Sequence, residues 1–475
     1  KTGCRPGKNG VFCILSEDKA RFMKKKTFCL RCHQKCRLNV DVVDGRIVHV
    51  EDASLNRTPP CMEACPLSTD IPRYARWISE GRFDEALSVI RETNPLPGMC
   101  SWICHRPCEA VCSLNTVGEP VAIRALKRAA LDHASKRDRL PQPVPRTHSE
   151  EVAVIGSGPA GLTAAHDIVR AGYGVTVYEA AATPGGIPAT VIPEFILPQV
   201  VVLGDIRSIE ALGVTFILNT TVGVDVSLQG ILRAYDAVIL AGGCPKPMKL
   251  DIPGRDLDGI YDALTFLRGN KEADGLQING NAVIIGGGDT AVDAARMALR
   301  AGAGKVAIAS LEDRGEMPAQ PKNLERAEAE GISIHPRLAP RRFVKNAARE
   351  VSGIVFQRVD SFERDLQGSI RYRLSQGKAN RLEMQADEVI TAIGQTPDWN
   401  SLVPDESILA SPRGTLAVDP ETMATRLPGV FGCGEMTSGP SYVVESMAAG
   451  RRAAQSLVAS LAGDEPFKKS PSFSA

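Results

Sequence analysis

The sequence has almost no net charge and no long apolar run. Its 56 lysines and arginines balance 55 aspartates and glutamates, which leaves a formal charge of +1 over 475 residues. This balance gives no support to nucleic-acid binding, which needs a basic face. No apolar stretch approaches the ~20 residues that span a bilayer, and the chain does not open on a signal-peptide pattern. We therefore expect a cytoplasmic protein with no nucleic-acid partner and no membrane span.

Several catalytic motifs are also missing. The chain contains no zinc-protease helix, no nucleophile elbow and no P-loop. Its 7 histidines are scattered without the spacing of metal ligands. Only Cys244 and Cys433 follow Cys112, and they are far apart, so the second half lacks the close cysteine pair of a flavin disulfide reductase. We name no catalytic side chain.

The cysteines that are present cluster near the N-terminus. Of 13, all but two lie at or before Cys112. In a long chain without an export signal, clustered cysteines are more typical of metal sites than of disulfides. Thiolates suit 4Fe–4S clusters, which we favour, although tight thiolate pairs also suit tetrahedral zinc. The candidate ligands are Cys29, Cys32, Cys36, Cys61, Cys65, Cys100, Cys104, Cys108 and Cys112.

The region between the cysteines predicts short helices. Residues 72–77 and 83–90 have helical patterns. The last four candidate ligands follow one another at a spacing of four, which would place them along one helix face. Pro107 argues against one continuous helix, so we expect a folded-back segment that brings sulfurs together around a cluster.

Residues 151–179 predict a dinucleotide-binding unit of strand, glycine turn, helix and strand. The three glycines of G-x-G-x-x-G allow a tight turn, a close approach of a pyrophosphate to the backbone, and close packing of helix on strand. The helix N-terminus offers free N–H groups to the phosphates, and the acid after the second strand is placed for ribose hydroxyls. The candidate residues are Gly156, Gly158, Pro159, Ala160, Gly161 and Glu179.

A second unit of the same kind follows at 281–310. Its turn has the form G-x-G-x-x-A, and a helix and a strand come after it. The candidate residues are Gly286, Gly288, Asp289, Thr290 and Ala291.

The motifs around the cysteines resemble a known family. C-x3-C-P followed by DIP, then NPLP, C-x3-C-x3-C-x3-C and EPVAIRALKRAA, occur in this order from Cys61 to Ala130. They resemble the two-cluster helical domain of the NADPH-dependent glutamate synthase small subunit, a domain that also opens dihydropyrimidine dehydrogenase. The likeness continues to Leu461, about four-fifths of the chain. It implies an electron-transfer oxidoreductase in which the second dinucleotide unit is nested within the first.

The resemblance also assigns cofactors. It implies that the first unit binds FAD and that the second docks a nicotinamide cofactor against the flavin. A GG-hydrophobic turn would run beneath the flavin, and a strand–Gly–acid motif near the C-terminus would hold the ribityl chain. Glu stands in that motif here, where the family generally has Asp. The residues so implied are Gly185, Gly186, Ile187, Gly242, Gly434 and Glu435.

Two 4Fe–4S clusters are implied as well. One would use Cys65, Cys104 and Cys108 with a Gln or Glu from the next helix, but Lys127 stands at that position. An ammonium group cannot bind iron, so Cys100 is a candidate in its place. The other would use Cys61 and Cys112, and the N-terminal cysteine triad must supply its remaining ligands.

The nicotinamide cofactor can be predicted from charge. NADPH-using members of the family have two arginines after the second strand of this unit, and Leu311 and Glu312 stand there. A carboxylate repels a 2′-phosphate and can accept a hydrogen bond from a free 2′-hydroxyl. We therefore predict NAD(H) rather than NADP, although Arg314 lies close enough to bind a phosphate.

The N-terminal cysteines suggest a partner. The triad C-x2-C-x3-C precedes a segment that alternates around Asp44 and Gly45, which predicts a β-hairpin. Together they resemble the N-terminal iron–sulfur segment of molybdenum and tungsten bis-pterin oxidoreductases. We expect a partner oxidoreductase subunit of that kind, such as an aldehyde or formate oxidoreductase. A glutamate synthase amidotransferase subunit, free ferredoxin and a nonredox scaffold role are the alternatives.

The predicted fold class is α/β, with a helical iron–sulfur domain followed by two nested Rossmann-like domains of the two-dinucleotide flavoprotein type. The predicted organisation begins with an N-terminal arm and cysteine hairpin (1–55) and a helical two-cluster domain (56–140). An FAD-binding domain follows in two separate segments (148–262 and 387–463), with an NAD(H) domain (263–386) inserted between them. A flexible tail (464–475) ends the chain.

Overall fold

The computed structural model describes most of the chain from residue 58 onward. It covers residues 58–463 except 117, 136–139, 272–274, 366–369, 399–401, 403–409 and 412–413, together with the strand residues 4–7, 10–13, 23–28, 37–43 and 46–52. Within these residues, no helix has the length and apolar character needed to cross a membrane.

The chain folds into two compact units. The first unit contains Lys1–Pro97 and Cys104–Asp138, and the second contains Gly98–Ile103 and Arg139–Ala475. The strands up to residue 58 are β1 (Cys4–Gly7), β2 (Gly10–Cys13), β3 (Met23–Phe28), β4 (Arg37–Val43) and β5 (Arg46–Asp52). The helices that follow are α1 (Pro60–Glu63), α2 (Ile71–Ser79), α3 (Phe83–Thr93), α4 (Pro97–Ile103), α5 (Pro107–Ala110) and α6 (Ile123–His133), with a 3-10 turn at Ser113–Thr116.

The predicted hairpin, the two predicted helices and the break before Pro107 are confirmed. Antiparallel pairing of β4 with β5 gives the hairpin, and its two turn residues lie outside the described part of the chain. The two predicted helices are α2 and α3, and the chain breaks between α4 and α5 just before Pro107. Because Pro107 begins α5, its ring occupies a first-turn position where no N–H is needed.

The second unit contains the longer strands and helices. Its strands are β6 (Glu151–Ile155), β7 (Gly174–Tyr178), β8 (Thr215–Ile217), β9 (Ala237–Leu240), β10 (Lys246–Pro247), β11 (Ile260–Asp262), β12 (Asn281–Ile285), β13 (Lys305–Ala309), β14 (Ser333–His335), β15 (Leu338–Lys345), β16 (Val351–Arg364), β17 (Ile370–Leu374), β18 (Arg381–Gln385), β19 (Glu388–Thr391), β20 (Gln395–Thr396) and β21 (Val430–Gly432).

Besides Gly98–Ile103 of α4, its described helices follow the first glycine turn. They are α7 (Pro159–Arg170), α8 (Ile187–Thr190), α9 (Gln199–Glu210), α10 (Leu228–Ala234), α11 (Ala263–Gly269), α12 (Asp289–Arg300), α13 (Pro321–Ala329), α14 (Glu435–Ser438) and α15 (Val443–Leu461), with a 3-10 turn at Lys378–Asn380.

Two parallel sheets organise this unit. The first has the strand order β21-β9-β6-β7-β8, and the second has β11-β19-β12-β13-β14. The last strand to join the first sheet, β21, comes after the whole second sheet in the chain, so the second dinucleotide unit is nested within the first. The predicted α/β class with two Rossmann-like sheets is therefore confirmed.

The second sheet extends slightly beyond the range predicted for its domain. Strands β11 and β19 both lie just outside 263–386. They have three and four residues, so neither carries the apolar run that makes β12 recognisable. One face of this sheet packs on α11 and α12. The other packs on an antiparallel sheet in which β16 pairs with β15, β17 and β18.

Helices α7 and α15 approach to backbone contact. A Cβ on Gly450 of α15 would lie 2.1 Å from the carbonyl oxygen of Ala160 on α7. Beside it, Nε of Arg451 donates to the Asp167 carboxylate at 2.7 Å. Burial alone would raise the pKa of Asp167, but hydrogen bonds from His166 and Arg451 lower it below its ordinary value. Gly450 is therefore required for this packing.

Alanine substitutions at two helical glycines, Gly450 in the contact and Gly204 outside it, test this packing. We expect Gly450→Ala to lower the thermal midpoint by roughly 2–4 °C, because overpacking costs about 1–3 kcal/mol against the ~1 kcal/mol that alanine gains in a helix. Gly204→Ala on α9 is the matched control, since no described atom lies within 4 Å of its Cβ position. It should raise the midpoint or leave it unchanged in the same calorimetric scan.

Candidate functional site

The first glycine turn leaves an open approach to a helix N-terminus. Gly156 has φ +102°, and a Cβ there would lie 2.4 Å from the Ala241 carbonyl oxygen. A Cβ on Gly161 would lie 2.0 Å from the Gly156 oxygen. By contrast, no described atom lies within 4 Å of the Cβ position of Gly158, which caps α7. Two glycines are thus required by the protein itself, and the third faces space that a ligand can enter.

Glu179 is tied to this turn. Its carboxylate accepts hydrogen bonds from the backbone N–H of Ser157 at 2.9 Å and of Ala181 at 2.8 Å, and also from the Ser157 hydroxyl. Ser157 in turn accepts from the Gly185 N–H at 2.9 Å. Sequence reasoning missed Ser157, which is fully buried between two of the motif glycines. The oxygen bonded to Ala181 keeps accepting capacity for a ribose hydroxyl.

Other predicted residues of the first site converge on the turn. A Cβ on Gly186, where φ is +62°, would lie 2.8 Å from Cα of Gly158. A Cβ on Gly434, where φ is +70°, would lie 2.7 Å from Cβ of Ala160. The structure therefore brings the glycine turn, the GG turn and the C-terminal motif together at the N-terminus of α7. Ile187 begins α8 and packs against the core beneath the second sheet.

The carboxylate of Glu435, the acid of the C-terminal motif, is hydrogen-bonded to the backbone of the protein. Oε1 of Glu435 accepts from the Ser441 N–H at 3.1 Å. Burial raises the pKa of Glu435, and this hydrogen bond partly offsets the shift. Its carbonyl oxygen accepts from the buried Cys244 thiol at 3.2 Å. Gly242 lies beside Met436, with 3.8 Å between its Cβ position and the sulfur.

The second glycine turn has the same construction. A Cβ on Gly286, where φ is +144°, would lie 2.3 Å from the Ala392 carbonyl oxygen. No described atom lies within 4 Å of the Cβ position of Gly288. Ala291 is fully buried under the turn, and Thr290 is partly buried.

Asp289, the first residue of α12, organises a neighbouring loop. Its Oδ1 accepts from the Gln320 N–H at 3.0 Å and from Nδ2 of Asn323 at 2.9 Å. Nε2 of Gln320 then donates to the Tyr442 hydroxyl at 3.1 Å. Because Tyr442 caps α15, which packs on α7, this chain of hydrogen bonds links the two nested sheets of the unit.

Glu312 lies over the second turn. It is 6% exposed, and a Cβ on Gly287 would lie 2.8 Å from its Oε2. Its Oε1 accepts from Nη2 of Arg364 at 2.9 Å. Arg314, the other predicted candidate for phosphate binding, pairs with Glu328 at 2.8 Å. Sequence reasoning missed Arg364 because it lies on β16, 52 residues from its partner.

Five of the predicted metal-binding cysteines lie in the first unit, and four of them, Cys61, Cys65, Cys104 and Cys108, lie near the buried Tyr74. Burial raises the pKa of the Tyr74 hydroxyl, and the nearby cysteines raise it further. Burial likewise raises the pKa of Cys108 to about 12, with Cys104 and Cys65 adding to the shift. Burial also raises the pKa of Cys61, with contributions from Cys112 and Cys65. Cys65 thus neighbours two groups, one with Cys104 and Cys108 and one with Cys61 and Cys112.

Positive charge surrounds the first of these groups. Lys127 on α6 is 8% exposed, and it lowers the pKa of both Cys104 and Cys108 against the larger effect of burial. Nη1 of Arg124 donates to the Cys104 carbonyl at 2.9 Å, and the Arg106 N–H points to the Cys104 sulfur at 3.5 Å. Cations and N–H donors near sulfur are the surroundings that stabilise anionic iron–sulfur clusters.

The structure describes one of the four remaining predicted ligands. Cys29, Cys32 and Cys36 are outside the described residues. Cys100 belongs to the second unit, where its sulfur lies 3.5 Å from the sulfur of Met447.

The donor set is compatible with iron–sulfur clusters. The five grouped cysteines are free. Among the described residues, no three Cys, His, Asp or Glu side chains converge closely enough to hold a single metal ion. The ligands of a 4Fe–4S cluster bind separate irons, whereas zinc ligands must surround one point.

Family comparisons agree with this architecture. The sequence profile described as pyridine nucleotide-disulphide oxidoreductase matches residues 150–450, and that described as dihydropyrimidine dehydrogenase domain II, 4Fe-4S cluster, matches residues 55–139. Mycobacterium tuberculosis FprA in complex with NADPH shares the fold, with a TM-score of 0.57 at 20% identity over 69% of this chain and 88% of that chain. These features define a flavoprotein oxidoreductase with two dinucleotide units, preceded by an iron–sulfur region.

Similar proteins show to which family of flavoprotein oxidoreductases the chain belongs. The chain is 32% identical to the glutamate synthase (NADPH) small chain of Escherichia coli, over 84% of this chain and 88% of the relative. It is 38% identical to the NADP(+)-dependent formate dehydrogenase subunit beta of Moorella thermoacetica and 33% identical to the NADPH-Fe(3+) oxidoreductase subunit beta of Geobacter sulfurreducens, of which it spans 59% and 63%. The chain belongs to the glutamate synthase small-chain family of FAD and iron–sulfur oxidoreductases, as the sequence motifs predicted.

The open position of Gly158 leads to a test of the first turn. We expect Gly158→Ala to fold normally but to lose most of its flavin, because the added methyl group enters the space where the backbone must approach a pyrophosphate. Flavin absorbance per chain and circular dichroism measure the two effects. Gly161→Ala should instead destabilise the fold, since its Cβ would collide with the Gly156 oxygen. Full flavin content in Gly158→Ala would contradict this assignment.

Proposed function

We propose that this chain is an NAD(H)-dependent electron-transfer subunit that exchanges electrons with a partner oxidoreductase. The observation that carries the proposal is that one chain combines two open glycine turns, on separate sheets, with groups of free cysteines, three of them buried and two partly buried. The two turns suit a flavin and a nicotinamide cofactor. The cysteines suit a path for single electrons.

The first turn and its surroundings would hold FAD. The N–H groups at the start of α7 would receive the pyrophosphate at Gly158, and Glu179 would accept from ribose hydroxyls. The GG turn and the Gly434–Glu435 motif would lie along the flavin. FAD supplies the exchange between hydride and single-electron chemistry, so the protein needs to position and shield it rather than provide an acid or base.

The second turn would hold NAD(H) rather than NADP(H). Glu312 lies over the turn, where a ribose 2′-hydroxyl can donate to its carboxylate and a 2′-phosphate would be repelled. Its ion pair with Arg364 holds the carboxylate in place. The formate dehydrogenase and glutamate synthase relatives are named for NADP(+) and NADPH, so this chain would differ from them in cofactor.

The cysteines would hold two 4Fe–4S clusters. Cys65, Cys104 and Cys108 would contribute to one, and Cys61 and Cys112 to the other. The triad Cys29, Cys32 and Cys36 would complete the ligand sets. Lys127 occupies the position of the family's fourth ligand, and its charge would stabilise the cluster beside it without binding iron.

A molybdenum or tungsten oxidoreductase is the partner that we favour, such as an aldehyde or formate oxidoreductase. The cysteine hairpin at the N-terminus resembles segments of those enzymes, and one relative is named as a formate dehydrogenase subunit. A glutamate synthase amidotransferase is the second candidate, because this chain covers 88% of the E. coli small chain.

Metal, flavin and pterin analysis tests the proposal. The complex purified through this chain should contain one FAD and about eight irons per copy, as two 4Fe–4S clusters require. Pterin with molybdenum or tungsten should co-purify in a second subunit. About four irons would contradict the two-cluster assignment. An amidotransferase subunit without pterin would instead support the glutamate synthase alternative.

Cofactor preference depends on Glu312. We expect Glu312→Gln to reduce the ratio of NADH to NADPH efficiency by about tenfold or more, because a hydrogen bond to a charged group and a repulsion are both lost. The measurement is kcat/KM for flavin reduction by each cofactor. Asp313→Asn is the matched control, since it removes the adjacent charge, which pairs with Arg337. Faster flavin reduction by NADPH in the unaltered protein would exclude the NAD(H) assignment.

A further inference from the structure

The segment Gly98–Ile103 belongs to the second unit, although the residues on either side of it belong to the first. It is held by a carboxylate more than 100 residues away. The N–H groups of Gly98 and Met99 donate to Oδ1 and Oδ2 of Asp205 at 3.0 and 2.7 Å. Asp205 lies on α9 and is 6% exposed. Both oxygens of one buried carboxylate therefore bind the first turn of α4.

Close packing accompanies these hydrogen bonds. A Cβ on Gly98 would lie 2.9 Å from both Asp205 oxygens and from a methyl group of Val201. Two residues after Gly98, the sulfur of Cys100 lies 3.5 Å from that of Met447 on α15. Met99, Cys100 and Met447 are all fully buried. The segment is thus fixed to α9 and α15, which both pack on α7.

Burial of a carboxylate is costly unless the charge is satisfied. Two backbone N–H groups at a helix N-terminus satisfy it well, because the hydrogen bonds are charge-assisted and the helix dipole favours an anion. A neutral amide at position 205 could accept through only one atom. The geometry therefore depends on the charge at Asp205 as well as on its shape.

Cys104 follows Ile103 directly in the chain. We infer that Asp205 is a positioning residue for electron transfer: it fixes Gly98–Ile103 to the FAD-binding unit and so limits how far Cys104, with the cluster that it binds, can move from that unit. This inference rests on the proposed function. Electron tunnelling slows exponentially with distance, so a loosened segment slows the flavin-to-cluster step and leaves the hydride step unchanged.

The test uses the full chain reconstituted with FAD and iron–sulfur clusters. Asp205→Asn and Gly98→Ala disturb the same contact from its two sides. Stopped-flow mixing with NADH follows flavin reduction and cluster reduction at separate wavelengths, and hydrogen exchange follows the amides of 98–103. We expect the iron content, the FAD content and the rate of flavin reduction to be unchanged. Cluster reduction should slow about tenfold, and the amides should exchange about tenfold faster.

Asp262→Asn is the matched control. Asp262 also lies in the second unit and binds a helix N-terminus, but the helix is α11. Its carboxylate accepts from the Thr265 N–H at 2.9 Å. It should leave both electron-transfer steps and exchange in 98–103 unchanged.

The possible failures are distinguishable. Variants that behave like the unaltered protein would overturn the inference, as would a parallel fall of flavin content and both rates, which indicates a role in stability alone. Clusters that NADH never reduces in the unaltered protein would overturn the proposed function and this inference together.

Discussion

The same steric constraint occurs in both parallel sheets, and it fixes the glycine turns and the helix N-termini that follow them. In each, the glycine after the central strand faces the carbonyl oxygen of the residue that follows the neighbouring strand. Gly156 faces Ala241, and Gly286 faces Ala392. The facing residue also donates its N–H to the last residue of the central strand, at 2.8 Å in both cases. A side chain at either glycine would separate two hydrogen-bonded strands. The helix N-termini that follow are therefore placed by backbone contacts, before any ligand is bound.

The features that depend on adjacent residues could be predicted from the sequence. The two glycine turns, the hairpin of β4 and β5, and the break at Pro107 each depend on a few neighbouring residues with strong conformational preferences. The nesting of the sheets was implied by the resemblance to the family. Even Glu312 could be located, because it follows the second strand of a recognisable dinucleotide unit.

The residues that sequence reasoning missed make contacts across long separations. Arg364 reaches Glu312 from a strand that belongs to a different sheet, and nothing in its neighbourhood marks it as special. Asp205 lies in a helix with an unremarkable pattern, and only its meeting with Gly98 gives it a role. Short strands such as β11 were missed for a different reason, since their pairing is decided by the sheet and not by their own three residues. Nothing in the cysteine spacing separates Cys100 from its neighbours, because the separation arises from contacts with distant helices.

The path of the chain through Gly98–Ile103 has a consequence for modularity. The chain passes between the two units three times, at 97/98, 103/104 and 138/139. A cut in the proline-rich stretch after the last crossing would not release two complete domains. The N-terminal fragment would contain α4. The C-terminal fragment would keep the buried Asp205 without the N–H groups of Gly98 and Met99 that donate to it. The iron–sulfur and flavin regions match separate families by sequence, but the boundary between those matches does not separate the two units, because Gly98–Ile103 belongs to the second unit.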